Sequence, residues 1–428
     1  MRKRLIAILM VVLLLTLFSS ACSSTEETIQ YEGDSKMTAT LKVMTNADKS
    51  YFMKEYGDLF QSKYPNIEIE VVNYNSVNFE KVLKEQKPDL LLISIDEYAQ
   101  LIEENRLVDL STLFANDDYN LEGIHSEIIN VHRQIGKGKL YGLQSEFLTK
   151  AIFYNKDLFD KYNVPYPQDQ MTWNELFQLA KRFPTGDGVS GLYIRNFVTL
   201  ADDIALSKHL SKVDTKNVKV TINTESYKEI FEMILDVYES KAVTLPDIDL
   251  FEVYDPFITG TSAMTVDYYY YIHNNINWAK EEKGIMLNWE LASAPVDEAS
   301  RDISPYFTLG GATAINVESD QKQAAWEFLK FQHSEEFAKA KSRTTRFFMS
   351  TRTGTIYNPE GKRMEAFYNL KPDTNFTRMN YDLLPKGFLR NLEGVVGSEA
   401  KAAMVGVKTL DEAMVSMQER GQQLLDQK

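Results

Sequence analysis

The run Asp89-Leu90-Leu91-Leu92-Ile93-Ser94 has no polar face, and it is bounded by Pro88 on one side and by a polar turn on the other. Four apolar residues so bounded suit a strand buried on both faces, which needs a layer of helices above and below it. The neighbouring sequence supplies those layers. Ala39 to Thr45 reads as a first strand. Asp48 is placed to cap a helix whose Phe52, Tyr56, Leu59 and Phe60 share one face, and Pro65 lies just beyond its end. Ile67 to Tyr74 alternates Ile67, Ile69 and Val71 with Glu68 and Glu70, as a half-buried strand does. Val77 to Gln86 and Asp96 to Glu104 are helical on either side of the apolar run. Strands alternating with helices of this length predict parallel crossovers and an α/β fold covered on both faces.

At 428 residues the chain exceeds one ordinary core, so two domains are expected. The change of pattern falls between Gly138 and Val164. A strand is predicted over Lys139 to Leu143, then a polar, mobile segment from Gln144 to Lys150. An apolar run follows from Ala151 to Tyr154, then a helix capped by Asn155. Gly142 reads as a hinge, where a β-branched residue should alter closure and affinity more than folding. Further on, Thr172 and Glu175 have capping-box spacing, as do Thr409 and Glu412. Gly191 to Leu200 reads as a strand entering a helix, and Asn223 to Ala242 as an amphipathic helix. Phe257 to Asp267 reads as a helix end, a glycine stop and a strand, continued by four tyrosines, Tyr268 to Tyr271. Pro305 to Ile315 is a glycine-rich turn feeding a strand, after which Ser319 or Asp320 is placed to cap a helix.

The front end is of another kind. Met1-Arg2-Lys3-Arg4 is followed by the apolar run Leu5 to Phe18, interrupted only by Thr16. That run is shorter than the roughly 18 residues of a spanning helix, and small residues follow it, which is the pattern of a removed export signal. Cys22, the single cysteine, stands where the small residues end. Its position resembles a bacterial lipoprotein box, although Ser19 occupies the usual leucine position, and it implies a lipid on Cys22. Signal cleavage with an incidental cysteine is the alternative. A mature chain with no other cysteine has no disulfide available. The formal charge of −14 becomes more negative once Arg2, Lys3 and Arg4 leave. Such an acidic chain lacks the clustered bases that nucleic acid or an anionic membrane surface requires. The five histidines form no zinc spacing, and there is no G-x-S-x-G, P-loop or second cysteine. No enzyme activity, metal or cofactor is therefore expected.

Four strings in order carry a family resemblance. They are Gly138 to Leu143 with Phe153 to Phe159, Thr172 to Leu176, Phe257 to Thr265, and Gly310-Gly311 with Ala324 to Leu329. Together they resemble the extracellular solute-binding proteins of ABC importers, the group that includes maltose-binding protein and other sugar-binding lipoproteins. The resemblance runs from about Thr38 to the C-terminus. Gln144 in place of a proline, the tyrosine run in place of glycine and tryptophan, and the lack of a glycine pair near Asp202 depart from the family pattern. The resemblance implies a two-lobed fold of the type II periplasmic-binding-protein kind, with the ligand cleft between lobes joined by hinge strands. The implied division is signal peptide 1–21, disordered tether 22–37, lobe 1 over 38–143 and 294–332, and lobe 2 over 144–293 and 333–428.

It further implies a monomer held to the outer face of the cell membrane only through the lipid on Cys22. Such a protein captures a small solute, a mono- or oligosaccharide, and delivers it to the subunits of an ABC permease. Alternatives are a sensor lipoprotein that presents ligand to a membrane kinase, or a binder of a peptide or polyamine. Ligands of open α/β folds sit at the carboxyl ends of strands. That rule points to Asn46, Asp48 and Tyr51 after the first strand and to Ser94, Asp96 and Glu97 after the apolar one. Ser145, Glu146 and Thr149 lie at the crossover, and Arg195 and Asn196 follow a second-lobe strand. Asp48 and Asp96 are also plain helix caps on this reading, and Glu146 a solvated residue. Alternate tyrosines, Tyr268 and Tyr270, should face the cleft, with Tyr270 where the family's maltose-binding members have a stacking tryptophan. Gly310 and Gly311 allow close backbone approach or a tight turn.

Overall fold

The strand Leu90–Ile93 is central in a sheet, as its composition requires. The computed structural model describes residues 37–116, 121–246, 254–374 and 384–427. The export signal, Cys22 and the tether up to residue 36 lie outside the described residues. Two five-stranded sheets organise the chain. In chain order their strands are β1 (Ala39–Thr45), β2 (Ile67–Asn73), β3 (Leu90–Ile93), β4 (Gly142–Leu143), β5 (Lys150–Asn155), β6 (Ser190–Tyr193), β7 (Val243–Thr244), β8 (Ser262–Tyr268), β9 (Trp289–Ser293) and β10 (Ala312–Ile315). The first sheet has the order β2-β1-β3-β10-β4 and the second β7-β6-β8-β5-β9.

The expected parallel crossovers are present, with β1 parallel to both β2 and β3. Each sheet is nevertheless mixed. β10 runs antiparallel to β3 and β4, and β5 runs antiparallel to β8 and β9. Successive side chains go to opposite faces, and both faces are buried. Val43, Leu90 and Ile315 pack with Phe52, Phe60 and Phe328 on one side of the first sheet, whereas Met44, Leu91 and Ala314 pack with Tyr98 and Leu101 on the other. The same division separates Ile152 and Tyr154 from Ala151 and Phe153 in the second sheet. The long helices Phe388–Met404 and Leu410–Asp426 pack on the helices Phe197–Ser207 and Glu225–Glu239 and join the same apolar cluster through Leu392, Val396, Met414 and Met417. Among the described residues no helix is long and apolar enough to cross a membrane.

Several boundaries differ from expectation for local reasons. The strand predicted from Lys139 is paired only at Gly142–Leu143. Ser94, not Asp96, caps the helix Ile95–Glu103, because Glu97 three residues on completes a capping box. Neither Ser319 nor Asp320 caps Lys322–Gln332; Gln321 occupies the N-cap position without a side-chain cap bond, and the Ser319 hydroxyl turns inward and donates to Asp89 Oδ1 at 2.6 Å. The boxes at Thr172 and Thr409 form as expected.

The segment Gln144–Lys150 is not solvated and mobile. Gln144, Ser145, Phe147, Thr149 and Lys150 are all buried. Glu146–Phe147 pairs with Met349–Ser350, and Leu148 bridges Thr308. Chain passages from one sheet to the other therefore lie side by side and satisfy one another's backbone groups. Gly142 does not fit the hinge role assigned to it. A Cβ there would lie 2.8 Å from the Thr313 carbonyl oxygen and 3.0 Å from the Tyr98 ring, so any side chain strains the sheet itself.

Two histidines are sealed beside this crossing. His132 is fully buried with both ring nitrogens lacking a hydrogen-bond partner, and His333 is buried with Nδ1 2.8 Å from the Leu329 carbonyl. Burial pulls their pKa values down to about 3 and about 4. The folded values lie below the unfolded one, so the unfolded chain takes up protons first and stability falls as pH drops below about 6.5. For His132 the loss at pH 5 is about 2 kcal/mol. Urea unfolding at pH 7.5 and 5.0 checks this: His132→Leu should shrink the acid-induced loss by that amount, and an unchanged loss refutes it.

Candidate ligand-binding cleft

β1 and β3 end side by side at Thr45 and Ile93, where the chain must leave the sheet and a hollow forms. The hollow measures about 270 Å³. Asn46 and Tyr51 line it from the β1 side, Ser94 from the β3 side, and Gly310 and Gly311 from the approach to β10. Gly311 is required by that approach. Its φ is +141°, and a Cβ would lie 1.9 Å from the Ile93 carbonyl oxygen.

The floor comes from the buried crossing. Gln144, Glu146 and Phe147 line it together with Gln332 and Phe348. Tyr56 donates its hydroxyl to Glu146 Oε2 at 2.9 Å, and Lys341 Nζ lies 3.6 Å from Oε1 while also pairing with Glu55. Burial pushes the Glu146 carboxyl above its ordinary range, against the Lys341 charge and the Tyr56 hydrogen bond. Both amide atoms of Gln144, Oε1 of Glu146 and Oε1 of Gln332 have no hydrogen-bond partner among the described residues. A buried polar atom without a partner costs about 1–3 kcal/mol. A floor with several such atoms therefore favours whatever brings hydroxyls to it.

A second cavity of about 120 Å³ opens at the carboxyl ends of β6 and β8, lined by Arg195, Asp267, Tyr268, Tyr270 and Lys150. The crossing runs directly from Glu146 in one cavity to Lys150 in the other. Lys150 is buried, with Nζ 2.6 and 2.7 Å from the two Asp203 carboxylate oxygens and 4.7 Å from the centre of the Tyr268 ring. Burial alone would lower its pKa; the Asp203 carboxylate reverses that and holds it above the ordinary lysine range.

β8 ends at Tyr268 and the chain turns into the helical turn Ile272–Asn277, so the tyrosine run is not a continued strand. The alternation survives the turn in burial. Tyr269 and Tyr271 are buried, Tyr271 donating to Asp255 Oδ2 at 2.7 Å, while Tyr268 and Tyr270 are half-buried with ring centres 5.4 Å apart; both of these line the cavity, and Tyr271 reaches its wall as well. Tyr270 also meets Phe347 at 6.1 Å, and the adjacent Phe348 lines the first cavity.

The fifteen candidate ligand residues thus fall into three groups. Asn46, Tyr51, Ser94, Ser145, Glu146, Gly310 and Gly311 gather at the first cavity, and Arg195, Tyr268 and Tyr270 at the second. Asp48, Asp96, Glu97, Thr149 and Asn196 line neither. Asp48 accepts from the Ser50 amide at 2.8 Å, and Asn196 from the Thr199 amide at 2.8 Å, both as helix caps. Asp96 lies in the first turn of its helix, Glu97 is held in the Ser94 box and by the Tyr74 hydroxyl at 2.6 Å, and Thr149 is fully buried. Sequence reasoning missed Tyr56, Gln332 and Phe348 as lining residues, whereas Gln144 belongs to the segment, Gln144 to Thr149, that reads from the sequence as hinge and cleft floor. Gln332 and Phe348 arrive from distant chain and carry no local signal. Among the described residues, no three His, Cys, Asp or Glu side chains gather as metal ligands would.

Comparison with known proteins agrees with this architecture. The chain matches the family described as bacterial extracellular solute-binding protein over residues 44–339. It is 23% identical over 357 residues to the arabinooligosaccharide-binding protein of Bacillus subtilis, spanning 80% of this chain and 78% of that one. A family 1 extracellular solute-binding protein from Alicyclobacillus acidocaldarius superposes with a TM-score of 0.65 at 17% identity, over 91% of this chain and 98% of that one. An ABC substrate-binding protein from Listeria monocytogenes in complex with cycloalternan gives 0.53 at 18% identity, over 92% and 100%. With the two sheets, the buried crossing and the matched span in agreement, this chain belongs to the bacterial extracellular solute-binding proteins.

Proposed function

We propose that the protein is the substrate-binding component of an ABC importer, anchored through a lipid on Cys22, and that it captures an oligosaccharide between two lobes. The lobes are 38–143 with 294–332, and 144–293 with 333–428. The observation that carries this reading is a cleft floor in which the buried side-chain amides of Gln144 and Gln332 hold atoms without hydrogen-bond partners, together with the Glu146 carboxylate and the half-buried rings of Tyr268 and Tyr270 in the second cavity. Sugar hydroxyls donate and accept in the directions such groups need, and an aromatic face covers the apolar C–H face of a pyranose or furanose. The names of the Bacillus and Listeria relatives point to the same class of solute. Closure about the crossing at Gln144 to Lys150 would bring the Tyr268–Tyr270 pair toward Tyr51. The ligand thereby stabilises the closed form, which the permease receives.

A thermal-shift screen with arabinotriose, maltotriose, xylotriose, spermidine and trialanine tests this. A ligand at a hundredfold excess over its Kd adds about 2.7 kcal/mol of stability, so one of the sugars should raise Tm by several degrees. If spermidine or the peptide raises Tm and no sugar does, the sugar assignment is wrong.

A further inference from the structure

Resting on the sugar reading of this cleft, we propose that Glu146 and Asp267 make it selective for ligands without an anionic group, so that uronate-bearing sugars are rejected. Neither cavity wall offers an ammonium or guanidinium in excess of its acids. The first is lined by one charged residue, Glu146, and the nearby Lys341 is shared between Glu146 and Glu55. The second is lined by Asp255 and Asp267 with Lys150 and Arg195, and Asp203 behind the wall takes up Lys150. Asp203 engages the Lys150 ammonium with both oxygens, and the Arg195 charge acts on Asp267.

The other usual source of positive potential is also occupied. A helix N-terminus beside a cavity can hold an anion through its unpaired backbone N–H groups. The helix Ile95–Glu103 begins at Ser94 on the edge of the first cavity, but Glu97 already accepts from the Ser94 amide at 2.8 Å and from its hydroxyl at 2.9 Å. Asp48 does the same at the start of the turn that carries Tyr51, accepting from the Ser50 amide at 2.8 Å. The protein's own carboxylates stand where a ligand carboxylate would seek its partners. A ligand anion about 10 Å from each of Glu146 and Asp267, at an effective dielectric of about 20, loses about tenfold in affinity to each acid and about a hundredfold to the two together.

Calorimetric titration of the mature protein with matched pairs tests this. The pairs are maltotriose with its C6-oxidised uronate, galactobiose with digalacturonate, and xylotriose with its glucuronic-acid-substituted form. The neutral member of whichever pair binds should do so about a hundredfold more tightly. In Asp267→Asn, and separately in Glu146→Gln, that ratio should shrink by about tenfold, each variant's fold being checked by its melting curve. Equal or tighter binding of the acidic member overturns the inference and leaves the sugar reading standing. An unchanged ratio in both folded variants overturns the assignment to these residues. Failure of every sugar, neutral and acidic, removes the sugar reading and the inference together.

Discussion

Lys150→Met is expected to lower the unfolding free energy by about 3–5 kcal/mol, as removing one partner of a buried ion pair does. The ammonium and the Asp203 carboxylate are each almost inaccessible, with side-chain exposures of 6% and 8%. Removing the lysine leaves that carboxylate without its counter-ion in a site whose other wall is aromatic. Tyr306 packs at 5.6 Å from Lys150 Nζ, donates to the Asp203 backbone carbonyl at 3.1 Å and accepts from Trp173 Nε1 at 2.9 Å. The double variant Lys150→Met/Asp203→Leu should regain most of the loss, since an apolar pair of similar volume has no unpaired charge. Urea melts at neutral pH measure both. A single-variant loss below about 1 kcal/mol, the range of an exposed pair, would show that water reaches the site. The ion pair also underlies the Tyr268 ring, so the single variant should weaken sugar binding beyond its effect on stability.

Gly311→Ala should cost at least about 3 kcal/mol, whereas Gly310→Ala next to it should cost less than about 1 kcal/mol. Both glycines line the cleft and look alike in the sequence. At Gly311 the φ of +141° is unfavourable for any L side chain, and the new Cβ would overlap the Ile93 carbonyl oxygen at 1.9 Å. Relief requires moving β10 away from β3, to which Ala312 is registered opposite Ile93. At Gly310 nothing lies within 4 Å of the built Cβ and the φ is ordinary. Chemical denaturation of the two variants separates the accounts. Equal losses would mean that the turn as a whole, not the close approach at Gly311, makes the glycines necessary.

What the amino-acid order determined by itself was short in range. The capping boxes at Thr172 and Thr409 form because donor and acceptor are three residues apart, and no distant element needs to arrive. The apolar run at Leu90 had to be a central strand because nothing in it could face water. The four strings in order were enough to identify the family, and the alternation of Tyr268 to Tyr271 was legible although the strand it was attributed to ends at Tyr268.

Only the tertiary structure decided where polar residues end up. Gln144 to Lys150 reads as a solvated link because it is polar, yet it is buried because the strand Met349–Ser350 and the isolated bridge at Thr308 supply its backbone partners. Gln332 and Phe348 enter the cleft, and Asp203 meets Lys150, through contacts between residues far apart in the chain. Hydrophobic period and cap spacing encode which face of an element is buried. They do not encode which other element covers it, because that depends on packing among many near-equivalent apolar surfaces. Cavities form where those coverings leave a gap, and so the strands leading to this cleft and the crossing in its floor were readable, while the parts of the floor brought by Gln332 and Phe348 were not.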